Sequence, residues 1–245
     1  MDYLDTIRRF YPNAHSTSET VDQLLNLLGS ELGLAPNQIM SADSICSDDL
    51  NSMEYPQRAY EMLGPFKMGG LNGFPFAGLT GMGAFAHHVP VDGAVFIFYG
   101  PHIGITQTGI AGEVLRPGQT RPSACCGAAR AALAKLLGDE IPPGRFTDLD
   151  YQQNTIEQVF LSEKNRIVSA QDPLWAATEV MYEAIDKRIA VLAEKTSYPC
   201  RYLVLMGGVL INADHGFGSF ASIRRLDSIK LETGERAALA DRLFR

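Results

Sequence analysis

Cysteine is scarce in this chain: four in 245 residues, two of them adjacent. That number, irregularly placed, offers no disulfide framework, and a chain of this length can build a core without one. Free or metal-bound thiols in a reducing compartment are the expectation. Clusters of lysine and arginine are also missing, and the formal charge is -7, so no nucleic-acid surface is expected. No window approaches the length of apolar run that a membrane-spanning helix needs, about 18 residues, and no membrane insertion is expected. The first residues, Met1-Asp2-Tyr3-Leu4-Asp5, lack the basic and apolar regions of a secretory signal. Internal repeats and low-complexity linkers are absent too, which favours one domain at this length.

What is present is an ordinary globular composition, 46% hydrophobic and 20% charged. Ser16 and Glu19 form a capping box ahead of Val21, Leu24, Leu25, Leu28 and Leu32 at helical spacing, with Gly33 as the stop. A second helix is expected from about Met53 to Leu63, ending at Gly64. Gly69 to Gly83 holds too many glycines for a helix and too many apolar side chains for a solvated linker; a buried loop close to a site is expected. Val95 to Tyr99, fully apolar after Asp92-Gly93, reads as a buried strand covered on both faces. Helix is expected from about Ser123 to Leu137, stopped by Gly138, and a long helix from Pro173 through Leu192. Tyr202 to Met206, continued by Val209 to Ile211, is the next buried strand. Strands alternating with helices predict an α/β fold with a largely parallel central sheet flanked by helices. Residues 1–245 are expected to form a single domain with an N-terminal helical extension over about 1–40.

Three residues at the edges of these elements have the chemistry of metal ligands. Cys46 follows Ser44-Ile45 and precedes a helix; His102 follows the apolar strand after Gly100-Pro101; Cys126 lies in Ser123-Ala124-Cys125-Cys126-Gly127-Ala128-Ala129 at a helix start. In open α/β sheets ligands gather beyond the carboxyl ends of the strands, and a helix N-terminus favours a thiolate. Two thiols and an imidazole supply three corners of a zinc tetrahedron and leave the fourth for water. Cys125 is the alternative to Cys126; neighbours on a helix point about 100° apart, so one metal takes one of them. A metal-free thiol hydrolase, with Cys46 or Cys125 as nucleophile beside a histidine, is a competing reading. Cys200 and His215 read as structural.

Local context adds a resemblance. Cys46-Ser47-Asp48 resembles the Cys-x-Asp that opens the β-carbonic anhydrase site, and Gly100-Pro101-His102 with Cys126-Gly127-Ala128-Ala129 resembles that family's strand-end histidine and helix-start Cys-Gly-Ala. More closely, Gly73-Phe74-Pro75-Phe76-Ala77-Gly78-Leu79-Thr80-Gly81, Ala84-Phe85-Ala86-His87-His88 and Phe96-Ile97-Phe98-Tyr99-Gly100-Pro101-His102-Ile103-Gly104 resemble the limiting-CO2-inducible (LCIB) family of β-carbonic-anhydrase-like proteins. That resemblance runs from about Cys46 to Leu210 and implies a β-carbonic-anhydrase-like fold.

The resemblance selects Cys126 over Cys125 and implies Zn2+ held by Cys46, His102 and Cys126. The implied reaction is reversible hydration of CO2 to bicarbonate by hydroxide formed at the zinc, with Asp48 orienting that hydroxide. Two departures stand out. Ile105 occupies the place where ordinary β-carbonic anhydrases carry the second cysteine, and Leu50 stands where they carry an arginine beside the aspartate. The arginine must come from elsewhere: Arg121, near Cys125-Cys126, is expected first and Arg58 second, because ten helical residues put Arg58 about 15 Å from Asp48. His88 is the candidate for proton export, since histidine titrates near neutrality. Phe74, Phe76, Leu79 and Phe85 are expected to line a small apolar pocket, and Asp49 to cap a helix. A homodimer and a part in CO2 concentration are also implied, with cytoplasm or plastid stroma left open. The alternative function is a catalytically inactive zinc-bearing homologue that binds CO2, bicarbonate or a partner protein.

Overall fold

Consecutive residues of a strand point to opposite faces, so the apolar run Val95 to Tyr99 must supply two cores at once. It does. Val95, Ile97 and Tyr99 belong to one buried cluster, and Ala94 and Phe96 to another on the opposite face. The computed structural model of the chain describes residues 2–53 and 55–245, with 52 and 53 described by their backbone alone.

The chain begins with helix α1 (Tyr3–Arg8), strand β1 (Ala14–Ser16), helix α2 (Thr17–Leu32), strand β2 (Ile39–Ser44) and the short helix α3 (Leu50–Met53). Strand β3 (Leu63–Lys67), helix α4 (Gly78–Ala86), strands β4 (Ala94–Tyr99) and β5 (His102–Gly104), and the two-residue strands β6 (Glu113–Val114) and β7 (Ser123–Ala124) lead to helix α5 (Gly127–Leu137). Helices α6 (Tyr151–Ser162), α7 (Lys164–Val168) and α8 (Pro173–Glu194) precede strands β8 (Tyr202–Asn212), β9 (Ser219–Lys230) and β10 (Glu235–Ala238).

The main sheet runs β1-β9-β8-β4-β2-β3, with β5 on β8 and β10 on β9. Strands β3, β2, β4 and β8 pair in parallel, as do β5 and β8. The expected α/β architecture with a mostly parallel sheet is therefore present. Antiparallel pairing adds β9, β1 and β10 at one side. The sequence pattern hides β9, because Arg224, Arg225 and Asp227 interrupt its apolar residues Ile223, Leu226 and Ile229.

Helix α2 forms as its sequence prescribes. The Ser16 hydroxyl accepts from the Glu19 amide at 3.1 Å, and Gly33 ends the helix at a φ of 66°. Leu24, Leu25, Leu27 and Leu28 are buried in the cluster that holds Phe96, Val204 and Met206, each worth about 1.5–3 kcal/mol of burial. The opposite face carries α4, α5, α6 and α8, whose apolar residues pack on Val95, Ile97, Leu203 and Leu205.

Four expectations need correction. The first forty residues are not purely helical, since β1 pairs with β9 in the main sheet. Residues 53–63 are not one helix: helix stops at Met53, a 3-10 turn covers Gln57–Glu61, and Leu63 already belongs to β3; residue 54 lies outside the described residues. Pro56 disfavours helix at the residue before it and cannot donate within one. The glycine-rich segment does contain a helix, α4. Each helical glycine costs about 1 kcal/mol against alanine, and burial of Met82, Phe85 and Ala86 offsets that. Helix α5 begins at Gly127, not Ser123, because residues 123–125 are held extended: Ser123-Ala124 pairs with Glu113-Val114, and the Cys125 amide donates to Gly112. Among the described residues, no helix is long and apolar enough to cross a membrane.

Candidate metal centre

Adjacent parallel strands deliver the site. Ser44, the last residue of β2, lies opposite Tyr99, the last of β4, so both chains leave the sheet at the same carboxyl edge. The chain interrupts its pairing at Gly100 and resumes as β5, where His102 lies opposite Leu210. A Cβ on Gly100 would sit 1.7 Å from the Gly208 carbonyl oxygen, so only glycine allows β4 and β8 to pass this closely. Gly73, at a φ of +80°, brings the glycine-rich segment onto the same break; a Cβ there would meet the Gly100 oxygen at 2.2 Å. The Ser44 hydroxyl donates to the Gly73 carbonyl at 2.9 Å. This segment therefore wraps the site with its backbone.

Cys46, His102 and Cys126 meet at this edge, with one ligand atom from each lying within 4.8 Å of the others. All three are buried, at 5%, 2% and 3% exposure. The sulfurs of Cys46 and Cys126 are 3.8 Å apart, and the Asn72 amide donates to the Cys46 sulfur at 3.1 Å. Cys126 is the N-cap of α5. Its thiol pKa is lowered, first by the hydrogen bond from Cys46 and then, against burial, by the Ala129 and Ala128 amides of the first helical turn. The hydrogen bond to Cys126 and burial push the Cys46 thiol the other way.

The donor set fits zinc. Two sulfurs and an imidazole nitrogen are ligands it prefers, and His102 Nε2 is buried with no hydrogen-bond partner. A buried unpaired nitrogen is costly unless something accepts its lone pair. Cys125 points to another side of the imidazole, its sulfur 3.5 Å from His102 Nδ1 and 3.4 Å from Asn212 Oδ1. With Asp48 and His102 it makes a second, overlapping group of ligand atoms within 4.8 Å.

Asp48 does have an arginine partner, and it is Arg116. The guanidinium Nη2 donates to both carboxylate oxygens, at 3.1 and 3.0 Å. Arg116 is itself held by the Ser123 hydroxyl at 2.8 Å and the Ala124 carbonyl at 3.1 Å. Arg121, the expected partner, lies exposed on the loop before β7, and Arg58 pairs with Asp22 and Glu61. The loop after β6 turns back at Pro117-Gly118, with the Gln119 amide donating to Arg116, and that turn aims Arg116 at the β2 end. In sequence its signal is one arginine before Pro117-Gly118. Burial pushes the Asp48 carboxyl up, but neighbouring donors and charges, Arg116 among them, outweigh it and leave its pKa below the ordinary carboxylate value.

The remaining candidates are scattered. His88 is exposed in the turn between α4 and β4, where β4 enters the sheet. The length of β4, roughly 20 Å at about 3.3 Å per residue, lies between that turn and the strand end that leads to the candidate ligands. Phe74 is buried in the cluster that holds Cys46 and Cys126, and its ring lies 5.1 Å from that of Phe76. Phe85 packs on Phe66 in the same core cluster, and Leu79 is 51% exposed. Asp49 is exposed beside Arg116, and it is Asp48 whose carboxylate accepts from the Leu50 amide at the start of α3. His215 is exposed in a turn, and Cys200 donates to the Tyr202 carbonyl. Asn212, Asn51 and Asn72 gather around the ligands without any expectation attached to them; the signal for Asn212 is a lone amide ending the apolar run Val209-Leu210-Ile211.

Known proteins place this arrangement. The family model of limiting CO2-inducible proteins B/C, beta carbonic anhydrases, matches residues 15–230. The crystal structure of PtLCIB4, a homolog of the limiting CO2-inducible protein LCIB, superposes with a TM-score of 0.81 at 26% identity, covering 96% of this chain and 98% of that one. The crystal structure of LCIB itself matches with a TM-score of 0.68 at 20% identity over 94% and 95% of the two chains, a likeness of fold. No curated protein sequence matches. The chain belongs to the LCIB family of β-carbonic-anhydrase-like proteins.

Proposed function

We propose that this chain is a zinc-dependent carbonic anhydrase that interconverts CO2 and bicarbonate. The observation that carries the reading is the buried Cys46–His102–Cys126 triad, with an unpaired His102 Nε2, directly beside an Asp48 carboxylate clamped by Arg116. Membership of the family supports it. Zinc held by the three ligands would supply a Lewis acid that brings the pKa of water near 7. The protein's own part is orientation. Neighbouring donors and charges, Arg116 among them, favour the ionised form of Asp48. Arg116 holds both its oxygens, so that an Asp48 oxygen accepts a hydrogen bond from the attacking water and turns its lone pair toward the substrate carbon. Phe74 and the glycine-rich segment exclude bulk water from this edge. With His88 at the other end of β4, proton export falls to groups other than that imidazole of the same chain.

The inactive alternative has an observation of its own: Asp48 also lies within ligand distance of His102 and Cys125, so its carboxylate competes with water wherever it leaves Arg116. The Arg116 pair, in which Nη2 reaches both Asp48 oxygens, favours the active reading. A metal-free thiol hydrolase is disfavoured by the complete burial of Cys125 and near-complete burial of Cys46. Exchange of labelled oxygen between CO2 and water, with zinc content measured on the same sample, decides among them: fully zinc-loaded protein with no exchange above background sinks the enzyme. Asp48→Asn should keep zinc and lose most turnover; undiminished turnover would remove Asp48 from the mechanism. The reading carries a homodimer with it, which sedimentation velocity tests.

A further inference from the structure

Two asparagine side chains join Cys46 and His102 by a route outside the candidate metal site. Asn51 Nδ2 donates to the Cys46 carbonyl at 3.2 Å, Asn212 Nδ2 donates to Asn51 Oδ1 at 3.2 Å, and Asn212 Oδ1 lies 2.7 Å from His102 Nδ1. The polarity of this chain is fixed at one end. A backbone carbonyl can only accept, so Asn51 must turn its NH2 toward Cys46 and its oxygen toward Asn212. Asn212 must then present its NH2 to Asn51 and its oxygen to the imidazole. An oxygen facing Nδ1 requires a proton on Nδ1, which leaves Nε2 as the bare nitrogen. That is the atom found buried without a partner. The same Asn212 oxygen accepts from the Cys125 thiol at 3.4 Å, which gives Cys125 a partner other than the metal.

We propose that Asn51 and Asn212 are positioning residues that set the tautomer of His102, making Nε2 its metal-binding atom, and that hold Cys125 outside the coordination sphere. The relay ties the β5 ligand to the β2 ligand through two amides, so the imidazole is aimed before any metal arrives. All three side chains are buried, at 6% exposure for Asn51, 3% for Asn212 and 2% for His102, where water does not compete for these bonds. The inference rests on the metal-centre reading above, and its test separates the two.

The test uses the intact chain, loaded with NMR-active cadmium in place of zinc and carrying labelled histidine nitrogens. Scalar coupling from cadmium to His102 Nε2, with a slowly exchanging proton on Nδ1, is the expected result. Coupling to Nδ1 overturns the relay and leaves the metal centre standing; failure to bind cadmium or zinc at all overturns both. In variants, chelator competition should show Asn51→Ala and Asn212→Ala each weakening zinc binding roughly 10- to 100-fold. The double variant should lose little more than the worse single one, because the two act in series. Asn212→Asp keeps an acceptor for Nδ1 and should recover part of the loss. Zinc affinity within about twofold of wild type in a folded Asn212→Ala protein would overturn the proposal, as would fully additive losses. Should Asn212→Ala not fold, the cadmium coupling in the wild-type chain decides by itself.

Discussion

Two polar clusters, one half-buried and one buried, flank the end of β4, and they differ in what they leave unpaired. Near the β9 side, the Tyr99 hydroxyl donates to Asp186 at 2.5 Å, and Arg225 bridges Asp186 and Asp227 at 3.0 and 2.7 Å. Every charge there has an opposite charge or a donor. At the ligand edge, His102 Nε2 and Asn72 Oδ1 are buried without partners. A satisfied network stabilises a fold, whereas a buried polar group left unpaired calls for an explanation, and here the open groups sit on and beside the candidate ligands. The first cluster reads as structure and the second as a candidate site, although Tyr99 of β4 and His102 of β5 stand only three residues apart.

Substitutions sharpen that contrast, and the largest effects belong to the ligands. Cys46→Ser or Cys126→Ser should each reduce zinc from about one per chain to near zero by elemental analysis, while Cys125→Ser should retain it. Loss of zinc from Cys125→Ser with retention in Cys126→Ser would exchange the roles of the two cysteines. Next comes Arg116→Ala, expected to lower CO2 hydration on the order of 10²-fold through misplacement of Asp48 while zinc content stays constant. Arg121→Ala should match the parent; equal losses from both variants would end the Arg116 assignment.

The structural cluster should respond in stability alone. Tyr99→Phe removes a hydrogen bond to a carboxylate and should cost about 1.5–3 kcal/mol in urea unfolding, with zinc content unchanged. A loss of zinc in that variant would erase the distinction between the clusters. The smallest effect is in its pH dependence. Burial first, and then the Asp186 carboxylate, raise the Tyr99 pKa. A raised acid contributes stability fully below its unfolded value, about 10 for tyrosine, and loses it as pH rises toward the folded value. The stability gap between parent and Tyr99→Phe should therefore narrow above about pH 10, and a gap that widens there would contradict the assignment.

The elements with strong local patterns were legible: α2 from its cap and leucine spacing, β4 and β8 from apolar runs, α8 from Pro173. The candidate ligands were legible as a group, since Cys46 and His102 each follow a strand end and Cys126 caps a helix, and the structure brings their ligand atoms within 4.8 Å of one another. Missed were β9, whose charges mask its alternation, and α4, whose glycines argue against helix until Met82 and Phe85 find a core. Arg121 was nearer than Arg116 to Cys125-Cys126 in sequence, yet chain direction after β6 turns it to solvent and Arg116 to Asp48.

By itself the sequence determined which residue types could serve as metal ligands and where α2, β4, β8 and α8 form, because periodicity, capping and side-chain chemistry act within a few residues. Tertiary structure alone decided the partners. Arg116 stands 68 residues from Asp48, and Asn212 stands 110 from His102. Such pairs depend on strand register and on the direction in which a loop returns, and no local energy encodes either.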